Sequence, residues 1–325
     1  MALESPSKLG SSLLGRRKLF CNSGLAIACK AEPAVDIAIS PLQRGFCQRA
    51  KEAGRPDEKY EVFETLGKGT VGNVYRACRR FDGFQVAMKA TRTDDQELIA
   101  ITEAEFKILK EIRHPNIIQV FDFFVTDVGA VLVLEYFNGQ TLEKKVHEGG
   151  CFNEGDSRQL SIWLLEAVNC LHNLSIMHRD IQAQNVLVRG DGTDLKLCDF
   201  NTARRVEEDG SLTITGAIQY RAPEVFLGSS PSFSSDVWAL GLCIYLMLSG
   251  RLPELVHRFL GSRRVLETAQ EQSVSLSGNP WQHVSQSCKD LLSRILTTDQ
   301  RLRPRAHELF KSDWIRMQVN ACDDF

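Results

Sequence analysis

The octapeptide HRDIQAQN, residues 178–185, carries the residue types that a phosphoryl transfer requires. Asp180 can accept the proton of an attacking hydroxyl, and Asn185 can ligate a metal ion. Farther along, LCDFN ends an apolar stretch on Asp199. A carboxylate there can bridge Mg2+ to β- and γ-phosphates. Upstream, Lys89 sits in VAMK among Val86, Ala87 and Met88, where a cation is placed to meet α- and β-phosphates. Its orienting anion is expected on the helical segment that follows. Glu105 is expected in that role over Glu103 and Glu111, because it precedes Leu109 by one turn. Phosphoryl transfer asks for placement and charge neutralisation more than covalent chemistry, so Lys, Asp, Asn and Asp form a coherent set.

A glycine-rich run, GKGTVGNV at 67–74, precedes these groups. Gly67, Gly69 and Gly72, with Lys68 between the first two, would let backbone N–H groups approach phosphate oxygens unobstructed. Similar runs open dinucleotide sites, but those place a helix directly after the glycines. Here Val74, Tyr75 and Ala77 continue as a strand, so the loop caps a hairpin.

The elements that must position these groups follow from periodicity. YEVFETL, VYRAC, QVAMKA, IIQVFDFFV and AVLVLEYF read as strands. DQELIAITEAEFKILKEI is helical, with Leu98, Ile101, Glu105, Ile108, Leu109 and Ile112 on one side. After Gly139 the pattern turns helical, through SRQLSIWLLEAVNCLHNL, SSDVWALGLCIYLMLSG and VSQSCKDLLSRIL. The fold class is therefore α+β: a small β-rich lobe with one helix, joined through 135–140 to a larger helical lobe. No internal repeat is evident.

Composition is that of a globular chain, with 43% hydrophobic and 25% charged residues among 325. The formal net charge of -2 gives no basic field for nucleic acid. No apolar run is long enough to span a membrane, and VWALGLCIYLML reads as a buried helix. The 10 cysteines form no CxxC pair, which argues against zinc and for a reduced, cytoplasmic setting. Residues 1–57 lack apolar period and are expected to be a disordered leader. Their basic, acid-poor stretch is also weakly like a targeting peptide.

Taken in order, the Gly loop, VAMK, Glu105, His178-Arg179-Asp180, Asn185, Asp199-Phe200, APE at 222–224 and the DVWALG helix resemble a eukaryotic protein kinase domain over residues 60–315. The segment NPWQHVSQSCKDLLSRIL, with Trp314 downstream, resembles the calcium/calmodulin-dependent kinase group. The resemblance implies an N-lobe at 58–137, a C-lobe at 138–318 and a short tail at 319–325. It implies ATP with Mg2+ or Mn2+ as cofactors and Ser or Thr of protein substrates as acceptors. Leu134 would be the gatekeeper and Glu135 to Phe137 the adenine-contacting hinge, with Val74, Ala87 and Leu187 sandwiching the adenine. Arg303 would be the buried partner of Glu224. Arg179 would pair with a phosphate placed by an upstream kinase on Thr213, with Ser211 and Thr215 nearby. No EF-hand loop is present, so no integral calcium-binding module is expected.

The chain departs from the pattern where transfer would occur. Gln182 replaces the Lys that contacts the γ-phosphate and supports Asp180 in Ser/Thr kinases. Losing one such charge costs about 3 kcal/mol, roughly a hundredfold in rate. Asn201 replaces the Gly of DFG, at a position where tolerance of positive φ is expected to matter. Ala217 replaces a Thr that bonds the catalytic Asp, so two supports of Asp180 are expected to be missing together. Leu246 and Thr141 replace acidic residues that recruit basic substrates. The reading is a Ser/Thr protein kinase with weakened transfer. The alternatives are a pseudokinase that binds nucleotide and signals by shape, and a tyrosine-directed enzyme. The last is disfavoured by the absence of Arg two or four residues after Asp180.

Overall fold

The computed structural model describes residues 55–68, 72–206, 216–256 and 274–317. A short helix α1 (Pro56–Lys59) leads into five antiparallel strands: β1 (Tyr60–Lys68), β2 (Gly72–Arg79), β3 (Gln85–Arg92), β4 (Val120–Thr126) and β5 (Gly129–Glu135). Their order in the sheet is β1-β2-β3-β5-β4. Alternation along the strands divides the side chains between two faces. Val86, Met88, Ala90, Val131 and Val133 join Tyr60 and Phe124 in a small outer cluster. Val74, Ala87, Leu132 and Leu134 point the other way, into a core that continues through the rest of the molecule. Lys89 shares its face with Ala87 and is thereby aimed inward.

Helix α2 (Gln96–Glu111) covers that inner face. Asp95 caps it by accepting a hydrogen bond from Glu97 N at 2.8 Å. Its buried residues are Thr102, Glu105, Ile108 and Leu109. A carboxylate so buried requires a partner, which the site supplies.

The larger lobe is not helical from Gly139 onward, as its sequence pattern suggested. Strands β6 (Gly139–Thr141), β8 (Val186–Arg189) and β9 (Leu195–Leu197) form an antiparallel sheet in the order β6-β8-β9. A two-stranded ribbon pairs β7 (Ile176–Met177) with β10 (Arg204–Arg205). Strands of two to four residues are too short to display a period. Around them pack α3 (Leu142–Gly149), α4 (Glu154–Asn173), α5 (Pro223–Phe226), α6 (Phe233–Ser249), α7 (Gln286–Ile295), α8 (Ala306–Leu309) and α9 (Asp313–Arg316). Helix α6 is buried from Asp236 to Leu248, as an all-apolar helix must be. No helix among the described residues is long and apolar enough to cross a membrane.

An ion pair ties α5 to the loop before α8, and that loop in turn hydrogen-bonds the start of α6. Arg303 donates from Nη1 to Glu224 Oε1 at 2.8 Å and from Nη2 to Oε2 at 3.1 Å. The same two nitrogens also reach the carbonyls of Ser234 at 2.7 Å and Thr297 at 3.0 Å, while Nε is buried without a partner. The guanidinium also lies 5.1 Å from the Trp238 ring. Both side chains are buried, so each satisfies a charge that would otherwise be stranded.

Candidate active site

Lys89 Nζ stands between two carboxylates, 2.8 Å from Glu105 Oε2 and 2.8 Å from Asp199 Oδ1. Burial opposes its charge, but Asp199 and Glu105 outweigh that and hold the ammonium firmly protonated. Burial pushes the Glu105 carboxyl up from its ordinary range against the pull of Lys89. Glu105 Oε1 also accepts from the backbone N–H of Phe200 at 3.2 Å. The α2 carboxylate thus ties strand β3 to the segment carrying Asp199. The helical spacing that singled out Glu105 corresponds to this contact.

Asp199 follows β9 after Cys198, and Asn185 directly precedes β8. Cys198 N donates to Asn185 O at 2.9 Å, so the hairpin sets the two candidate metal ligands side by side. Asn185 Nδ2 donates to Asp180 O at 2.8 Å and to Asp180 Oδ2 at 2.9 Å. Asn185 Oδ1 is buried and has no protein partner. An orphaned carbonyl oxygen next to a carboxylate suits a hard cation, which favours oxygen donors and takes its remaining ligands from phosphate and water. Among the described residues no three His, Cys, Asp or Glu side chains gather as a metal cluster. The Asn185–Asp199 pair therefore fits Mg2+ shared with a phosphate rather than a closed metal cage.

Asp180 is almost wholly buried, and four hydrogen bonds reach its carboxylate. Gln182 Nε2 lies 2.9 Å from both oxygens, and Ala217 N lies 2.8 Å from Oδ1. The fourth comes from Asn185. Gln182 donates to Asp180 as an amide can. One expectation is corrected here: the support expected to be lost at Ala217 is supplied by its main-chain N–H. What is lost is positive charge. Burial raises the Asp180 carboxyl to about 6, with the donors pulling against that rise.

The expected role of Asn201 is corrected as well. The left-handed residue at this turn is Asp199, at φ 64°, and Asn201 is not among the positive-φ residues. Asp tolerates that region better than most side chains. In this conformation Asn201 therefore meets no demand for positive φ. Gly216 does: its φ is +86°, and a Cβ there would lie 2.5 Å from Arg179 O and 3.1 Å from Asp180 Oδ1. Gly72 has a different reason. A Cβ on it would collide with Ala90 O at 2.0 Å, so close pairing of β2 with β3 alone excludes a side chain.

One positioning residue escaped the sequence reading. Asp236, at the start of α6, accepts from His178 N and Arg179 N, each at 2.9 Å, and contacts His172 Nε2 at 3.1 Å. Burial works to raise its carboxyl, but His172 and these backbone donors hold it below the usual range. It pins Arg179, which is left-handed at φ 69°. Its only signal in the sequence is its place at the head of DVWALG. His178 is fully buried, kept neutral by that burial, and its ring stands edge-on to Phe200 at 4.6 Å.

The remaining expected residues fall around this centre. Val74, Ala87, Leu134 and Leu187 lie in the continuous core beneath β1 and β2. Phe137 is buried, whereas the Glu135 side chain turns to Lys196 at 2.9 Å. Gly67 and Lys68 end β1. Gly69, Thr213, Ser211 and Thr215 lie outside the described residues, as do the tail at 319–325 and all of the leader except residues 55–57.

Comparison with known proteins agrees with this arrangement. A family model described as the protein kinase domain matches residues 60–315. The chain is 34% identical over 273 residues to serine/threonine-protein kinase H1 of Homo sapiens, covering 82% of this chain and 63% of that protein. It is 33% identical over 273 residues to the Danio rerio homolog of that kinase, covering 82% and 64%. It is 28% identical over 266 residues to an Aurora kinase of Dictyostelium discoideum, covering 81% and 67%. The chain thus spans less than two thirds of the length of the kinase H1 relatives. With the family model matching most of its residues, the chain belongs to the protein kinase family.

Proposed function

We propose that the chain is an ATP-dependent protein kinase that transfers the γ-phosphate to Ser or Thr hydroxyls of protein substrates. The observation that carries this reading is the joined network Glu105–Lys89–Asp199 beside Asn185 and Asp180, in which every group has a partner that orients it. Lys89, held by Glu105, would orient the α- and β-phosphates. Asn185 and Asp199 would hold Mg2+ or Mn2+, which supplies charge neutralisation at the phosphates when bound. Gly67, Lys68, Gly69 and Gly72 would cover the phosphates. Val74, Ala87, Leu134, Leu187 and the 135–137 strand end would enclose the base. Asp180 would receive the hydroxyl proton. The Ser/Thr names of the relatives support the acceptor class.

Gln182 favours one competing reading, a nucleotide-binding pseudokinase, because it supplies hydrogen bonds without charge. Both are tested by incubating the purified chain with labelled ATP, Mg2+ or Mn2+ and generic protein substrates, beside Asp180→Asn and Gln182→Lys. Transfer by the wild type that Asp180→Asn abolishes supports the kinase. Transfer seen only with Gln182→Lys makes it a pseudokinase.

A further inference from the structure

A cleft of about 30 Å3 opens beside Asp180 and is bordered by Gly216, Ala217, Tyr220, Arg221 and Val225. Its floor is rigid. Tyr220 is buried in the 3-10 turn Ile218–Tyr220, and the next residues enter α5, whose Glu224 is held by Arg303. Arg221 is fixed between these two anchors.

The Arg221 side chain is half buried, and its Nε is buried without a hydrogen-bond partner. Its guanidinium carbon lies 5.5 Å from the Phe226 ring. No carboxylate among the described residues forms an ion pair with it. Burial alone weakens its hold on its proton, with no charged neighbour contributing. A guanidinium carries five donors in a planar fork, and leaving such a group desolvated without an anion is costly. The cleft has room for one or two water-sized groups. A carboxylate fits that space, whereas a bulky side chain does not.

A substrate that brings its hydroxyl to Asp180 must lie across this cleft, because Asp180 itself lines it. At about 3.3 Å per extended residue, a cleft this small reaches one or two residues from the acceptor. Elsewhere, the positions where acidic residues would draw basic substrates offer no charge. Thr141 is buried and caps α3 through Lys144 N at 3.2 Å, and Leu246 is buried in α6. The cleft itself is also lined by Arg179, Asp180 and Asp236. Both carboxylates are engaged within the chain, Asp180 by Gln182, Asn185 and Ala217 N and Asp236 by His172 and the 178–179 backbone, which leaves Arg221 as the side chain placed to select by charge.

We infer that Arg221 selects substrates carrying an Asp or Glu side chain within two residues of the phosphorylated hydroxyl. This rests on the proposed transfer to protein hydroxyls. Arg221 acts on the substrate side chain and not on the reacting phosphoryl group.

The test compares Ser peptides with Asp or Asn at each of the two positions on either side of the acceptor. The full chain is assayed as wild type, Arg221→Leu and Arg221→Lys. At one position the wild type is expected to favour Asp over Asn by about tenfold, mostly through KM. Arg221→Leu should lose that preference while keeping its rate on the Asn peptide, and Arg221→Lys should keep part of it. Equal use of Asp and Asn peptides by the wild type overturns the inference. So does a preference that survives Arg221→Leu, or an equal loss on both peptides, the mark of an Arg221 that pairs within its own chain. If no peptide is phosphorylated, the transfer reading fails separately. Fluorescence anisotropy of the labelled Asp and Asn peptides then still reports the cleft: tighter Asp binding that Arg221→Leu abolishes supports the assignment, and equal binding refutes it.

Discussion

The side-chain amide of Gln182 spans both carboxylate oxygens of Asp180, with Nε2 2.9 Å from each. It orients Asp180, the proposed proton acceptor, as a cation would, yet brings no positive charge. Positioning and charge stabilisation, which one Lys commonly combines, are separated in this chain. Asp180 titrates at about 6 because burial dominates the hydrogen bonds it accepts. As proton acceptor it must be ionised, so kcat/KM should rise with pH through that value and fall away below it.

Charge at position 182 should move that limb in a defined direction. Gln182→Lys places a cation beside the carboxylate, favours the ionised form and should shift the acidic limb downward. It should also raise kcat by up to about a hundredfold through the added charge. Gln182→Leu removes two donors and should shift the limb upward. The pH profiles of the three proteins, measured at saturating ATP and Mg2+, check both signs. An unmoved limb in both variants would assign the titration to another group.

Asn185 should be read through the metal. Its Oδ1 has no protein partner, while its Nδ2 is engaged with Asp180. Asn185→Ala is expected to raise the Mg2+ concentration for half-maximal rate by about tenfold or more. Binding of a fluorescent nucleotide without metal should change little. The split between these two measurements separates lost ligation from general collapse of the site, which would reduce both.

The sheet and the ion-pair partner of Lys89 were legible because period 2 and period 3.6 put specific residues on specific faces. Val86 and Met88 alternate with Ala87 and Lys89, and Glu105 lies one turn from Leu109. The β6-β8-β9 sheet was not legible, since VLVR and LKL are too short to alternate. Ala217 illustrates a different limit. Its side chain cannot hold Asp180, and no residue type reveals that its backbone N–H does so at 2.8 Å. Asn201 shows a third. Sequence locates a turn but not which of its residues turns left-handed, and here that residue is Asp199.

Lys89 holds apart two carboxylates that are otherwise buried together. Lys89→Met should leave both without a cation and raise the folded-state pKa of Glu105 further. A carboxyl raised above its unfolded value destabilises the fold at pH above the folded pKa. That penalty vanishes as pH falls below the unfolded value, about 4 for Glu. The Tm deficit of Lys89→Met relative to wild type should therefore be larger at pH 8 than at pH 5. A deficit that is the same at both pH values would mean that packing and not charge is lost.

Arg303 and Glu224 connect stability to substrate choice. Removing one partner strands the other charge, so Arg303→Met and Glu224→Leu should each cost about 3–5 kcal/mol in unfolding free energy. The double variant should recover part of that loss, because no charge is left buried, although the carbonyls of Ser234 and Thr297 lose their donors. Denaturant unfolding of the four proteins measures the coupling. Because Glu224 also anchors the turn that carries Arg221, the double variant is expected to refold without restoring any discrimination between Asp and Asn peptides. Full recovery of both stability and discrimination would show that α5 is held in place by its apolar contacts alone.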